Sequence, residues 1–217
     1  MLPQAENINL SSESRSRLEI FYSRFCEGSL RMHYGLGHMV YACHAAFPLV
    51  LTPHLANLIY INFNMLPFYN GSAGKVDLIA VSDFLLSTLC RPISNRQFEV
   101  YPEIRSYLLH LLKDGKWFQR YGVMIRGEER LAELADFLQQ YVKVKVAENG
   151  EEGPGFRQLN EWAALAYSNP SELARRIGEV LDENKKDDQG QLWVTNQMER
   201  IEKQFRSGIH NHGGSKE

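Results

Sequence analysis

Residues 79–112 read IAVSDFLLSTLCRPISNRQFEVYPEIRSYLLHLL, and a change of period inside this stretch decides the fold class. Val81, Phe84, Leu85 and Leu89 recur at helical spacing, so a short helix beginning at Ile79 has one apolar side. Pro92 and the pair Ser94 and Asn95 then favour a turn, and Phe98 and Val100 alternate with Glu99 and Tyr101 in the two-residue period of a strand. After Pro102 and Glu103 the helical period returns at Ile104, Tyr107, Leu108, Leu111 and Leu112. Helix, tight β element, helix is the order of a winged-helix-like unit, here residues 79–126. The expected fold is mainly α: a helical bundle with a small winged-helix-like β element around residues 91–101.

Upstream, Thr52 followed by Pro53 is a helix start. The hydroxyl accepts from a free N–H of the first turn, and proline at the first helical position sacrifices no hydrogen bond. Leu55, Leu58, Ile59 and Phe63 give that helix its apolar face. Residues 39–47 form a dense apolar run that Pro48 ends. Gly35 and Gly37 are expected to break or weaken any helix passing through them. Leu18, Phe21, Tyr22 and Phe25 place another helix over residues 15–25, behind a flexible polar arm at residues 1–14. Residues 64–76, with Asn70, Gly71, Ser72 and Gly74, read as a loop.

Downstream, Leu131, Leu134, Leu138 and Tyr141 or Val142 mark a helix over residues 128–142, and the alternating run 142–146 is read as its end. Residues 148–155 are charged and carry Gly and Pro. They are the expected boundary between a first domain at residues 15–147 and a C-terminal helical segment at residues 156–206 packed on it. In that segment residues 156–167 are helical, Asn169 to Glu172 has the residues of a capping box, and Leu173, Ile177, Val180 and Leu181 carry the next stripe. A last helix is expected at residues 192–205, and a disordered tail at residues 207–217.

The 217 residues suffice for one generous domain or two small ones. With 24 Lys and Arg against 26 Asp and Glu the net charge is −2, so no global field recruits nucleic acid or acidic lipid. No apolar stretch reaches the ~18 residues of a membrane span, and residues 1–16 lack the apolar segment of a signal peptide. A cytoplasmic protein without membrane contact is expected. Cys26, Cys43 and Cys90 are odd in number and widely spaced, which fits neither a disulfide framework nor a zinc-ligand spacing; they are read as buried free thiols.

The densest group of chemically capable side chains is His33, His38, Cys43 and His44. Their spacing does not put the histidines on one helical face, and the i, i+4 pair of a zinc helix is absent. Cys43 and His44, as sequence neighbours, point to different sides of a helix, and no third group orients them as a nucleophile and base. Gly35-Leu36-Gly37 lacks the third glycine and the preceding strand of a phosphate cradle. No catalytic residue, cofactor or metal ligand is assigned, and the expectation is a protein that is not an enzyme.

Residues 91–126 hold the cations Arg91, Arg96, Arg105, Lys113, Lys116, Arg120 and Arg126 against Glu99, Glu103 and Asp114. On a winged helix such a segment neutralises phosphates, which makes nucleic-acid binding the alternative function. The candidate contact residues are Arg96 and Lys116 for charge, and Trp117, Phe118 and Trp162 as large apolar groups near loops and helix starts. These three bind partners where they are exposed and form core where they are not. Arg91 and Arg105 flank the β element, and an arginine held against Glu99 or Asp83 would fix its geometry.

Four stretches carry a resemblance: residues 44–63 (HAAFPLVLTPHLANLIYINF), residues 82–91 (SDFLLSTLCR) leading into residues 98–105 (FEVYPEIR), residues 134–141 (LADFLQQY) and residues 162–167 (WAALAY). In this order they resemble a helical, effector-associated domain of multidomain bacterial proteins, notably cyanobacterial ones. There it stands beside caspase-like peptidases, NACHT- or AAA-type ATPases, or formylglycine-generating-enzyme-like modules. The resemblance spans residues 35–205 and supplies no catalytic residues. It implies a non-catalytic adaptor module of a signalling or defence system, coupling a sensor or regulator to a caspase-like or ATPase-type effector by protein–protein contact.

Overall fold

The computed structural model describes residues 8–27, 34–147 and 153–183. Most of the expected arm, His33, the boundary residues 148–152, the helix at residues 192–205 and the tail lie outside the described residues. The chain divides into two compact units, Met1–Leu131 and Ala132–Glu217. The protein is mainly helical, with two small antiparallel β hairpins among the described residues.

The first unit is built on α1 (Ser12–Phe25), α2 (Tyr34–Ala45), α3 (Pro53–Phe63), α4 (Ile79–Leu85) and α5 (Pro102–Asp114). α2 is its axis. Every residue from 35 to 50 is buried, and α2 packs against α1, α3, α4 and α5. A helix apolar on all sides has no solvent face to present, so it takes the centre. Gly35 and Gly37 do not break this helix; both lie inside it. A Cβ at Gly35 would collide with the backbone of Cys26, and one at Gly37 would sit 3.4 Å from the Cα of Val76. The glycines buy close helix approach at the expense of local propensity.

Ala46 and Phe47 bond back to Ala42 and His44, but the rest of the turn between α2 and α3 draws hydrogen bonds from distant parts of the chain. Leu51 and Phe98 exchange both backbone bonds at 2.8 Å. The guanidinium of Arg105 donates to the carbonyl oxygens of Phe47 and Pro48, the latter at 3.3 Å from Nε. Thr52 caps α3 as its sequence predicts, accepting from the Leu55 N–H at 3.1 Å.

The expected β element is a hairpin of β3 (Cys90–Ser94) and β4 (Gln97–Val100), with Cys90 opposite Val100 and Arg91 opposite Glu99. Its tip is at Asn95 and Arg96, not at Pro92. Arg96 is left-handed with φ 62°, and Pro92 lies in β3, whose outer side carries no partner strand among the described residues. Arg91 is paired with Glu99 across the strands, while Arg105 holds the turn after α2 and Asp83 holds His38.

Residues 64–76 are not simply a loop. β1 (Met65–Pro67) and β2 (Ala73–Lys75) form a second hairpin, turned by Gly71 at φ 81°. Strands of three residues are too short to establish a period of their own. After α5, Gly115 adopts φ 67° and its N–H closes on the Leu111 carbonyl at 3.1 Å. This is the left-handed helix ending that glycine makes cheap, and it launches α6 (Lys116–Gln119).

α7 (Gly127–Ala147) begins in the first unit and continues into the second, which also holds α8 (Gly153–Ser168) and α9 (Pro170–Glu183). α8 and α9 pack together, and the Arg176–Glu161 ion pair at 2.8 Å joins them. Asn169 caps α9 through the Glu172 N–H at 3.1 Å. The Glu172 carboxylate turns to Arg175 and Arg176, whose hydrogen bonds hold its pKa down at about 2. Among the described residues, no helix is long and apolar enough to cross a membrane.

Candidate interaction surface

Alternation along β1 and the residues after it separates two faces. Leu66 is buried, whereas Met65 and Tyr69 are exposed, Tyr69 by 59%. Residues 122–124 run antiparallel along the side of β1 away from β2, with Phe68 opposite Val123. The Tyr69 N–H donates to Gly122 at 3.0 Å and the Met124 N–H to Pro67 at 2.8 Å. Val123 is buried and Met124 exposed, so the alternation matches that of β1. Met65, Tyr69 and Met124 therefore share the outer face of the β1–β2 hairpin and the segment bridged to it. Lys75, opposite Met65 in β2, is exposed on that same face. Arg120 and Arg126, near in sequence to Met124, are exposed as well.

Trp117 and Phe118 stand behind this patch instead of forming it. Both are buried, with ring centroids 5.1 Å apart, and Tyr121 lies 5.0 Å from Trp117. The Phe118 carbonyl accepts from the N–H groups of Tyr121 and Val123 at 3.0 and 3.2 Å. The aromatic cluster thus fixes the strand that carries Met124. Trp162 is buried in α8. Core packing, not partner contact, accounts for all three residues.

Sequence reasoning missed Met65, Tyr69 and Met124. The one available signal was the alternation of residues 65–69, and Pro67 in its middle disguised it. A second set of exposed apolar side chains lies along α4 and its ends: Leu78, Ile79 and Leu86, the last 82% exposed.

The cations of residues 91–126 are largely engaged. Arg91 is paired with Glu99, Lys113 with Glu128 at 3.1 Å, Lys116 with Asp114 at 3.0 Å and Arg126 with Glu129 at 3.3 Å. Arg105 is 3% exposed. Arg96 and Arg120 are exposed with no ion-pair partner among the described residues. α5, the helix after the hairpin, buries seven of its thirteen residues, so it has little face left to enter a groove.

The polar cluster around α2 is dispersed. His38 Nε2 lies 2.9 Å from Asp83 Oδ2, and the His38 ring stacks on Phe25 at 5.7 Å. This pair ties α2 to α4. Burial pushes the Cys43 thiol well up, which suppresses the thiolate a nucleophile needs. Burial likewise pushes Cys26 and Cys90 up to about 12. His44 is wholly enclosed, and neither of its ring nitrogens has a hydrogen-bond partner among the described residues. Desolvation first, and the charge of Arg130 second, lower its pKa to about 3. Among the described residues no group of three His, Cys, Asp or Glu is arranged to hold a metal ion.

Compared with protein-family models, curated proteins and solved structures, the chain matches none.

Proposed function

We propose that this chain is a non-catalytic protein–protein interaction module of a bacterial signalling or defence system, coupling a sensor or regulator to a caspase-like or ATPase-type effector. The supporting observation is the patch of Met65, Tyr69 and Met124, three large apolar side chains held in solvent on a buried aromatic foundation. Exposed apolar groups on a rigid frame lose little conformational entropy on docking, which is what a contact surface requires. The resemblance of residues 35–205 to effector-associated domains supplies the class of partner. Nucleic-acid binding through residues 91–126 is the weaker reading, because most of its cations are already neutralised and α5 is occupied with the core.

The test compares the wild type with Met65→Glu and Tyr69→Glu as baits in host lysate, at low and moderate salt with nuclease present. Recovery of a caspase-like or ATPase protein by the wild type at both salts, and its loss in both variants, is the expected result. Equal recovery by the variants removes the patch from the interaction. Recovery that needs nucleic acid and disappears with salt moves the function to residues 91–126.

A further inference from the structure

The strongest anomaly in the first unit is the imidazole of His44. It sits in the last turn of α2, 1% exposed, with neither nitrogen hydrogen-bonded among the described residues. Buried polar atoms are satisfied in the great majority of cases, so an orphaned pair in the centre of a core needs a reason. Its surroundings are layered. The Phe63 ring, at the end of α3, lies 5.7 Å from the imidazole, and the guanidinium of Arg130 lies 5.5 Å from the Phe63 ring centroid. Phe63 is itself almost buried and Arg130 is half-buried, so His44 is one ring below solvent.

The helices packed on α2 bring few charges to this point. Tyr22 on α1 and Cys26 just after it, His54 and Tyr60 on α3, Asp83 on α4, and Arg105 and Tyr107 on α5 exert no resolved electrostatic effect on His44. Asp83 is bonded to His38 and Arg105 to the turn after α2. Among the described residues Arg130 is the one charge felt at the imidazole, and it repels a proton there. A cation on His44 therefore meets an apolar enclosure, no acceptor and a like charge. Displacement of Phe63 and Arg130 brings water to it.

We propose that His44 and its Phe63–Arg130 cover form a proton-operated lid, closed at neutral pH and opening on acidification at the end of α3. Opening frees the C-terminal turn of α3, which runs directly into β1. The lid stands on its own geometry and holds whether or not the β1 face binds a partner.

The test is amide hydrogen exchange on the full chain at pH 7.5 and pH 5, corrected for the intrinsic pH dependence of exchange. If the open state titrates near the ordinary histidine value, opening at residues 40–45 and 59–66 rises roughly 30-fold between these conditions. α8 in the second unit keeps its protection. His44→Phe and, as a second apolar replacement, His44→Leu abolish this pH ratio. Arg130→Gln raises opening by a similar factor at both pH values and leaves the ratio intact. Three results overturn the lid: equal corrected protection at both pH values in the wild type, a ratio that survives in both His44 variants, or opening at residues 40–45 and 59–66 that needs the same free energy as global unfolding of the first unit.

Discussion

Replacing Arg105 by Met keeps most of the side chain's length and apolar stem while removing every donor. Arg105 is 3% exposed, and its guanidinium serves the carbonyls of Phe47 and Pro48, two buried acceptors in the turn after α2. Hydrogen bonds from a charged donor contribute roughly 1.5–3 kcal/mol each. The two bonds to these carbonyls contribute up to about 6 kcal/mol between them, from which relief of a buried cation's desolvation must be subtracted. We expect a net loss of about 3 kcal/mol, which lowers the melting temperature by roughly 6–12 °C in a chain of this size. Urea denaturation of the full chain, followed by circular dichroism, reads this as a lower midpoint at unchanged slope. Arg105→Lys retains the charge but not the planar fork, and a single ammonium reaches two divergent carbonyls poorly, so it recovers less than half of the loss. Stability of Arg105→Met within about 1 kcal/mol of wild type would show that the turn does not depend on these bonds. Full rescue by Lys would show that charge, not geometry, is what the turn uses.

At the tip of the β3–β4 hairpin, Arg96 carries a left-handed backbone that costs an L-residue roughly 1–2 kcal/mol. Arg96→Gly should raise the urea midpoint accordingly, and an unchanged or lower midpoint would show that its exposed side chain contributes to the fold. His44 gives the pH dependence. Its folded pKa of about 3 lies below the ordinary value near 6.5, so the unfolded chain binds the extra proton; stability is full above pH 6.5 and falls as pH drops toward 3. The loss by pH 5 is about 2 kcal/mol, and His44→Phe should remove that share from a series of denaturation curves.

The helical part of the fold was legible because its signals are local. Thr52 and Pro53 announce α3, Pro102 announces α5, and the stripes at Phe84, Leu108 and Leu138 state which sides face inward. The β1–β2 hairpin was not legible, because strands of three residues are too short to set a period, and the segment bridged to them at Val123 lies far away in sequence. The glycines of α2 misled for a related reason. Propensity counts their cost within the helix, whereas their benefit is the approach of Cys26 and Val76 from outside it. The large aromatics drew attention by size, yet Trp117, Phe118 and Trp162 are core, whereas Met65, Tyr69, Leu86 and Met124 are among the exposed apolar side chains. Exposure is decided by tertiary packing, which no property of a single residue reports.

The turn at residues 46–52 has a consequence for the order in which the chain acquires its structure. Its carbonyls at Phe47 and Pro48 are served by a residue 58 and 57 positions later, and Leu51 waits for Phe98. A chain emerging from the ribosome can begin α2 and α3 early, but the corner between them lacks its partners until residue 105 is free. Closing so long a loop is slow compared with forming either helix. Until then the most apolar segment of the protein is an unfinished corner, and that interval is when a chaperone has most to hold.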